Sequence, residues 1–420
     1  MASFAAGTPK DSLFAGERLL LVGTYGQDLG FVKGEGAGIY AFRLTGTGTF
    51  GCAVFLNRPL VGADIVGANP TYLCKHPTKP GLVYVADEED LAGGGRCRAL
   101  QVTLGSSGAP ECSPLGAEAV ATGDSSPCHV VATADRLYVA NYCGGAKGTG
   151  SAASFALDES GAPADKTTAP LPPGGRGVAF PREEPDVDLT RQEKAHAHMA
   201  LASGDGSGLL VPDLGSDVVW RLAAPSLGDA EVACTLAPGD GPRHAAWHPS
   251  LNVLYVLCEL SCRVVAFAVD RRTGRSLDKE PLAAARTLPP ECYGGRATGP
   301  PTEPKSTCAA LVVHPNGKWL YCSNRAVDVD GLVTRLEIEA DGAVDECTAV
   351  HLSTGGRTPR EIAFAGPNAE LLLVANQDTN SILSFAVDGA TGALERRHRV
   401  SCPTPVCLLD LGQPPATPSE

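Results

Sequence analysis

Apolar residues in this chain come in short runs bounded by Gly, Pro, Asn and Asp, and one run recurs. LYVLCE (254–259) has counterparts in LLLVGTY (19–25), LVYVADE (82–88), RLYVANY (136–142), GLLVPDL (208–214), WLYCSNR (319–325) and LLLVANQ (371–377). Runs this short, mixing β-branched, aromatic and small apolar residues between turn formers, predict strands. With Val22, Val85, Val139, Val211, Val256, Cys322 and Val374 as markers, the seven copies lie 63, 54, 72, 45, 66 and 52 residues apart. Six of them follow a second apolar run by about a dozen residues: NPTYLCKHP (69–77), SPCHVVA (126–132), HAHMALA (196–202), PRHAAWHP (242–249), CAALVVHP (308–315) and PREIAFA (359–365). Several precede a third run that alternates with period two and ends in Asp, such as RVVAFAVD (263–270) and SILSFAVD (381–388).

A unit of 45 to 72 residues holding about four strands predicts an all-β protein, a seven-bladed β-propeller of four-stranded antiparallel blades. One blade cannot bury both of its faces alone, so the blades stack around an axis. The first copy has no run before it, but PTPVCLLDL (403–411) has the form of the missing one and no strand partner after it. The C-terminal strand is therefore expected to become the innermost strand of the N-terminal blade, which removes two open edges. This gives a single propeller over 18–411, a flexible N-terminus over 1–17 and a flexible tail over 412–420. Two long steps contain 158–194 and 289–305, rich in Pro, Gly and charge, and both are predicted to be loops protruding from the disc.

Call the innermost strand of each blade A and its neighbour B. The two are antiparallel, so the start of A and the end of B lie at one mouth of the central channel. Arg243 and His244 begin A of blade 5, Glu259 ends B of that blade, His198 begins A of blade 4 and Arg325 ends B of blade 6. Three consecutive blades thus bring His198, Arg243, Glu259 and Arg325 to one patch. His129, Tyr142, Tyr72, Glu88, Arg360 and Gln377 hold the same positions on other blades. Of the neighbouring residues, His129, Tyr142, His196, His244 and Arg360 are the candidates for holding a substrate. A single Arg–Glu pair is most often a structural ion pair. Two arginines, an acid and a histidine around one concavity point instead to an anion-binding site with proton chemistry, Glu259 or His198 serving as base or acid.

Other features change this picture little. HAH (196–198) puts two histidines on one face of a strand, and His129 or Glu259 is available as a third zinc ligand; the expectation is a pair without metal. His76, His248 and His314 each precede Pro in turns at the opposite mouth, where a turn role is expected. NYCGGAKGTG (141–150) joins strand to strand, so it reads as a tight turn at the active mouth and lacks the context of a phosphate loop. No G-x-S-x-G with a triad context occurs, which disfavours a serine hydrolase. The fifteen cysteines form no C-x-x-C pair, and many, such as Cys74, Cys258, Cys322 and Cys407, lie inside apolar runs as reduced core residues do. A formal net charge of −13 speaks against nucleic acid and requires any anionic substrate to meet a local arginine cluster. No apolar run approaches a membrane span and no export signal is evident. A cytoplasmic protein is expected, with a plastid location left open and the oligomeric state undetermined.

LLVGTY, NPTYL, PCHV, LYVANYCGG, RQ…HAH, GPRHAAWHP, ELS, LYCSNR and TPREIAF…LLLVANQD, in this order, resemble the seven-bladed propeller lactonase family. That family includes bacterial-type 6-phosphogluconolactonases and fungal carboxy-cis,cis-muconate lactonizing enzymes. The resemblance runs from about residue 18 to 411. It implies a catalytic group of a histidine, two arginines and a glutamate, carried by His198 in HAH, Arg243 in GPRH, Glu259 in ELS and Arg325 in SNR. Cys258 stands where the family usually has Asn, and Ala195 where it often has Pro. The resemblance implies hydrolysis of an anionic sugar lactone, with 6-phosphogluconolactone of the pentose phosphate pathway favoured and muconate lactonization as the alternative. Neither chemistry requires a metal or organic cofactor. From another class stands a propeller that only binds a partner on its disc face. The long loops, with Phe180 and Tyr293 as their aromatics, weigh against it.

Overall fold

The computed structural model describes residues 15–412, apart from 53–57, 90–93, 145–147, 173–186, 294–299, 302–304 and 327–328. The expectations for most of the N-terminal segment and for the tail beyond 412 lie outside the described residues. Seven antiparallel sheets form, each of four strands, in six of them ordered radially as in the sequence, and blade 1 carries one further short strand, Val61–Gly62. Strand Glu17–Thr24 of blade 1 pairs on its inner side with the C-terminal strand Pro405–Gly412. The protein is a seven-bladed β-propeller closed by its own C-terminus.

The reason lies in the B strands. In Val253–Cys258 of blade 5, Val253, Tyr255 and Leu257 enter a core shared with blade 6, while Leu254, Val256 and Cys258 enter one shared with blade 4. A strand buried on both faces reads as an unbroken apolar run, which is the pattern the sequence repeats. Seven such clusters lie between successive blades, and the one between blades 7 and 1 joins Leu371, Leu373 and Ile382 to Leu20, Val22 and Phe42.

Two recurring polar clasps tie blades 2, 5 and 6 to the blades that follow them. Tyr84, Tyr255 and Tyr321 donate their hydroxyls to the carbonyls of Gly161, Gly342 and Gly392, at 2.8, 2.9 and 2.8 Å. Gly342 has a φ of 92°, and a Cβ there would sit 2.7 Å from Val253, so the outer turn accepts little else. The histidines of the HP turns act as predicted. His248 Nδ1 accepts from the N–H groups of Ser250 and Leu251, and its Nε2 lies 3.1 Å from the Gly317 carbonyl of blade 6. His76 repeats this toward Ala134.

One loop expectation needs correction. The stretch 158–194 is not loop from its start, because Pro163–Pro170 forms the outermost strand of blade 3. Its polar composition reflects an edge with only its inner side covered. In 289–305, Pro290–Tyr293 is a short 3₁₀ turn, and Tyr293 is fully buried with its hydroxyl on the Cys262 carbonyl rather than displayed on the disc. Phe180 lies outside the described residues. The described cysteines are free thiols, most of them buried. Among the described residues no helix is long and apolar enough to cross a membrane.

Candidate active site

The site is built by one irregularity repeated around the ring. Near the start of each A strand its register against B slips by one residue, in blade 6 between Cys308 and Leu311. Pro242 faces Cys258 but His244 faces Leu257, leaving Arg243 as the extra residue. The same surplus falls on Val406, Thr71, Cys128 and Arg360, each preceded by a proline. In blade 4, Ala197 faces Asp213 and Leu201 faces Leu210, again a surplus of one, with His198 directly after the first pair. A bulge bends its strand and redirects the extra side chain. Here it turns these side chains from the blade-to-blade cores into the channel. Proline suits the strand start because no ladder hydrogen bond is needed from its nitrogen.

A cavity of about 910 Å³ opens at this mouth, its wall including Glu88, Cys128, Tyr142, Arg191, His198, Arg243, Glu259, Arg325 and Arg360. Below it a narrow recess with room for about one water reaches Thr71, Tyr72, His244 and Glu361, sharing His198, Arg243 and Arg360 with the cavity. Glu259 is 2% exposed and touches three guanidinium groups. Its Oε1 lies 2.8 Å from Arg191 Nη2 and 3.1 Å from Arg325 Nη2, and its Oε2 lies 2.9 Å from Arg243 Nε. Arg243 also donates to the Ala309 carbonyl and lies 2.9 Å from His244 Nε2. Arg325 donates to the Cys308 carbonyl at 2.8 Å. On the far wall, Arg360 donates to Tyr25, whose hydroxyl donates to Glu88, each at 2.7 Å.

Comparison with known proteins gives this geometry a context. Residues 19–409 match the family described as lactonase, 7-bladed beta-propeller. The chain belongs to the seven-bladed β-propeller lactonase family. A Bacillus subtilis protein named 6-phosphogluconolactonase is 28% identical over 399 residues, covering 93% of this chain and 98% of that one. The solved periplasmic gluconolactonase of Pseudomonas aeruginosa superposes with a TM-score of 0.73 at 25% identity, over 95% of this chain and all of that one. A Lactobacillus plantarum structure gives a TM-score of 0.72 at 25% identity, over 94% of this chain and 99% of that one.

The cavity of this propeller lactonase is cationic. Six cations on its wall, Arg191, Arg243, Lys305, Arg325, Arg357 and Arg360, face four carboxylates, Glu88, Asp188, Glu259 and Asp378, in a protein whose formal net charge is −13. Burial acts to raise the Glu259 carboxyl, yet Arg191, Arg325 and Arg243 outweigh it and hold the group well below the usual carboxylate range. Burial and Arg243 push the pKa of His198 well below the ordinary histidine value, so its ring is neutral. His244 is depressed by burial and by the same arginine, and His129 is pushed down to about 3. Burial raises Glu361, at the base of the recess, to about 8.

The four residues expected at the core of the site, His198, Arg243, Glu259 and Arg325, do meet in one cavity, whose lining also includes Tyr142 and Arg360. His244 reaches only the recess. His129 and His196 do not line the cavity. His129 falls one residue after the bulge, so Cys128 takes the wall while His129 packs on Tyr72 with ring centroids 4.2 Å apart. His196 stacks on Tyr142 at 4.4 Å, with its ring nitrogens against the Tyr142 carbonyl and Glu193, so the HAH pair does not converge on a shared ligand. Among the described residues no cluster of three or more His, Cys, Asp or Glu is arranged to hold a metal. Arg191 escaped sequence reasoning because it lies outside the repeated strands. Its one signal was the RQ that precedes HAH.

Proposed function

We propose that this lactonase hydrolyses an anionic sugar lactone, 6-phosphogluconolactone, to the open-chain acid. The observation that carries this reading is a cationic cavity in an acidic protein, with a buried neutral histidine beside guanidinium groups held by one carboxylate. The names of the B. subtilis and P. aeruginosa relatives support the lactone as substrate class.

In this reading His198 Nε2 takes a proton from a water as its oxygen attacks the lactone carbonyl carbon. A new C–O bond forms and the carbonyl electron pair moves onto oxygen, where Arg243 stabilises the charge. Collapse of this intermediate breaks the bond to the ring oxygen, which leaves with the proton from His198. Glu259 is a poor base here, because both its oxygens are engaged by arginines. Its part is to hold three like charges close together and aimed at the substrate. The cytoplasm is the compartment that goes with such a role in the pentose phosphate pathway.

The test is to generate 6-phosphoglucono-δ-lactone in situ and follow its loss above the spontaneous rate, comparing the protein with His198→Gln. The expected result is a fall in kcat of at least about 100-fold. Because His198 is depressed, kcat/KM should stay level from pH 8 to 6.5 and decline only at lower pH. Full activity in the variant would remove His198 from the mechanism. No rate above background in the folded protein would remove the substrate and turn attention to muconates or to a binding role.

A further inference from the structure

We propose that Arg191 and Arg325 together form a phosphate subsite, which makes this cavity selective for lactones bearing a phosphate monoester over unphosphorylated ones. The proposal rests on the lactonase reading above and deepens it.

The arginines of the cavity are not equivalent. Arg243 is deep, 3% exposed, and lies with His198 at the inner end of the cavity, above the narrow recess, where the reacting carbonyl belongs. Arg325 and Arg191 lie further out, at 15% and 36% exposure. Both reach the same atom, Glu259 Oε1, so their Nη2 nitrogens stand less than about 6 Å apart, a span that one phosphate group bridges. Among the described residues, Arg191 makes its polar side-chain contacts through Nη2 alone, to Glu259 and to Tyr142. Its other edge is left for a ligand. Among the described residues, Arg325 also has an Nε that is buried without a hydrogen-bond partner. The Tyr142 hydroxyl accepts from Arg191 at 3.2 Å and retains its own proton to donate.

Charge points the same way. Three guanidinium groups around one carboxylate leave an excess of two positive charges, and the whole wall carries the same excess. A phosphate monoester brings about −1.5 to −2 at neutral pH, which closes this balance, whereas a plain sugar lactone leaves it open. Asp188 lies on the same wall, but its Oδ1 is taken up by the N–H and hydroxyl of Thr190, at 2.9 and 2.7 Å. A dianion is strongly hydrated, and the outer position leaves part of that hydration in place while the lactone ring sits deeper in the cavity, against His198 and Arg243.

The experiment compares 6-phosphoglucono-δ-lactone with glucono-δ-lactone as substrates of the wild type, Arg191→Met and Arg191→Lys, and measures inorganic phosphate binding by calorimetry. The wild type is expected to prefer the phosphorylated lactone in kcat/KM. Arg191→Met should lower that preference at least tenfold, chiefly through KM, and weaken phosphate binding, with Arg191→Lys in between. A loss striking both lactones equally, or a preference unchanged in Arg191→Met, would overturn the subsite. If the wild type binds phosphate through Arg191 yet hydrolyses neither lactone, the subsite stands and the lactonase reading fails.

Discussion

Glu259 is surrounded by guanidinium groups because a carboxylate almost wholly out of water needs charge and hydrogen bonds in place of its hydration. The chain itself supplied its residue type, its place at a strand end, and the two arginines at matching ends of A and B. Arg191 could not be found in this way, since it reaches the site from a segment without strand periodicity. His129 and Cys128 show the limit from the other side. Which of two adjacent residues faces a channel depends on a one-residue slip, and a slip leaves no mark in hydrophobic alternation. At this scale, Glu259→Gln is expected to destabilise the fold by about 3–5 kcal/mol, because the buried Arg243 and two partly buried arginines lose their common partner. Urea denaturation checks it, and added phosphate should recover part of the loss. An unchanged midpoint would mean that the arginines find other partners.

Among the elements, the A-strand bulge and the blade-to-blade clasps do most to position the site. The bulge carries Arg243, Arg360 and Cys128 into the channel without changing the apolar core on either side. Its sequence trace is the proline before the extra residue in NPTY, SPCH, GPRH, TPRE and TPVC. The tyrosine clasps leave a plainer trace, a Tyr at the third position of each B strand involved. Their effect appears only when the next blade presents its outer turn. Tyr255→Phe should cost about 1 kcal/mol, since it removes one hydrogen bond and leaves the Gly342 carbonyl in a buried setting. Tyr321→Phe should cost the same amount. The clasps lie between different blade pairs, so the double variant should show the sum of the two losses in denaturation midpoints. A loss much larger than the sum would mean that neighbouring clasps are coupled.

For the whole molecule, closure and charge set the behaviour. Pairing of Pro405–Gly412 with Glu17–Thr24 joins the chain ends, so the ring leaves no inner edge unpaired at its seam. Buried titratable groups should then give stability a maximum near pH 6.5. His129, His198 and His244 are depressed by burial and Arg243, so the unfolded chain binds protons that the native state refuses below pH 6.5. Each removes stability as pH falls, by about 1.4 kcal/mol per pH unit. Glu361 and Asp87 act with the opposite sign. Burial raises them to about 8 and about 7, so their contribution is complete at low pH and is lost as pH rises through those values. Between pH 4.5 and 6.5 these histidines, with His76, His314 and His351 depressed likewise by burial, oppose the raised carboxyls, Asp213 included, and above 6.5 only the carboxyls remain. Thermal unfolding from pH 5 to 8.5 checks this, and a monotonic rise to pH 8.5 would contradict it.

The sequence by itself determined the seven-fold repeat, the all-β class, the closure by the C-terminal strand and the mouth at which charged residues gather. Each follows from local periodicity and from the geometry of antiparallel neighbours, which a single chain displays. Tertiary structure alone decided which residue of each A strand enters the channel, that Arg191 completes the ring around Glu259, and which histidines turn away into packing. Those outcomes depend on a slip in register, which the alternation of apolar residues does not record, and on side chains from segments far apart in sequence.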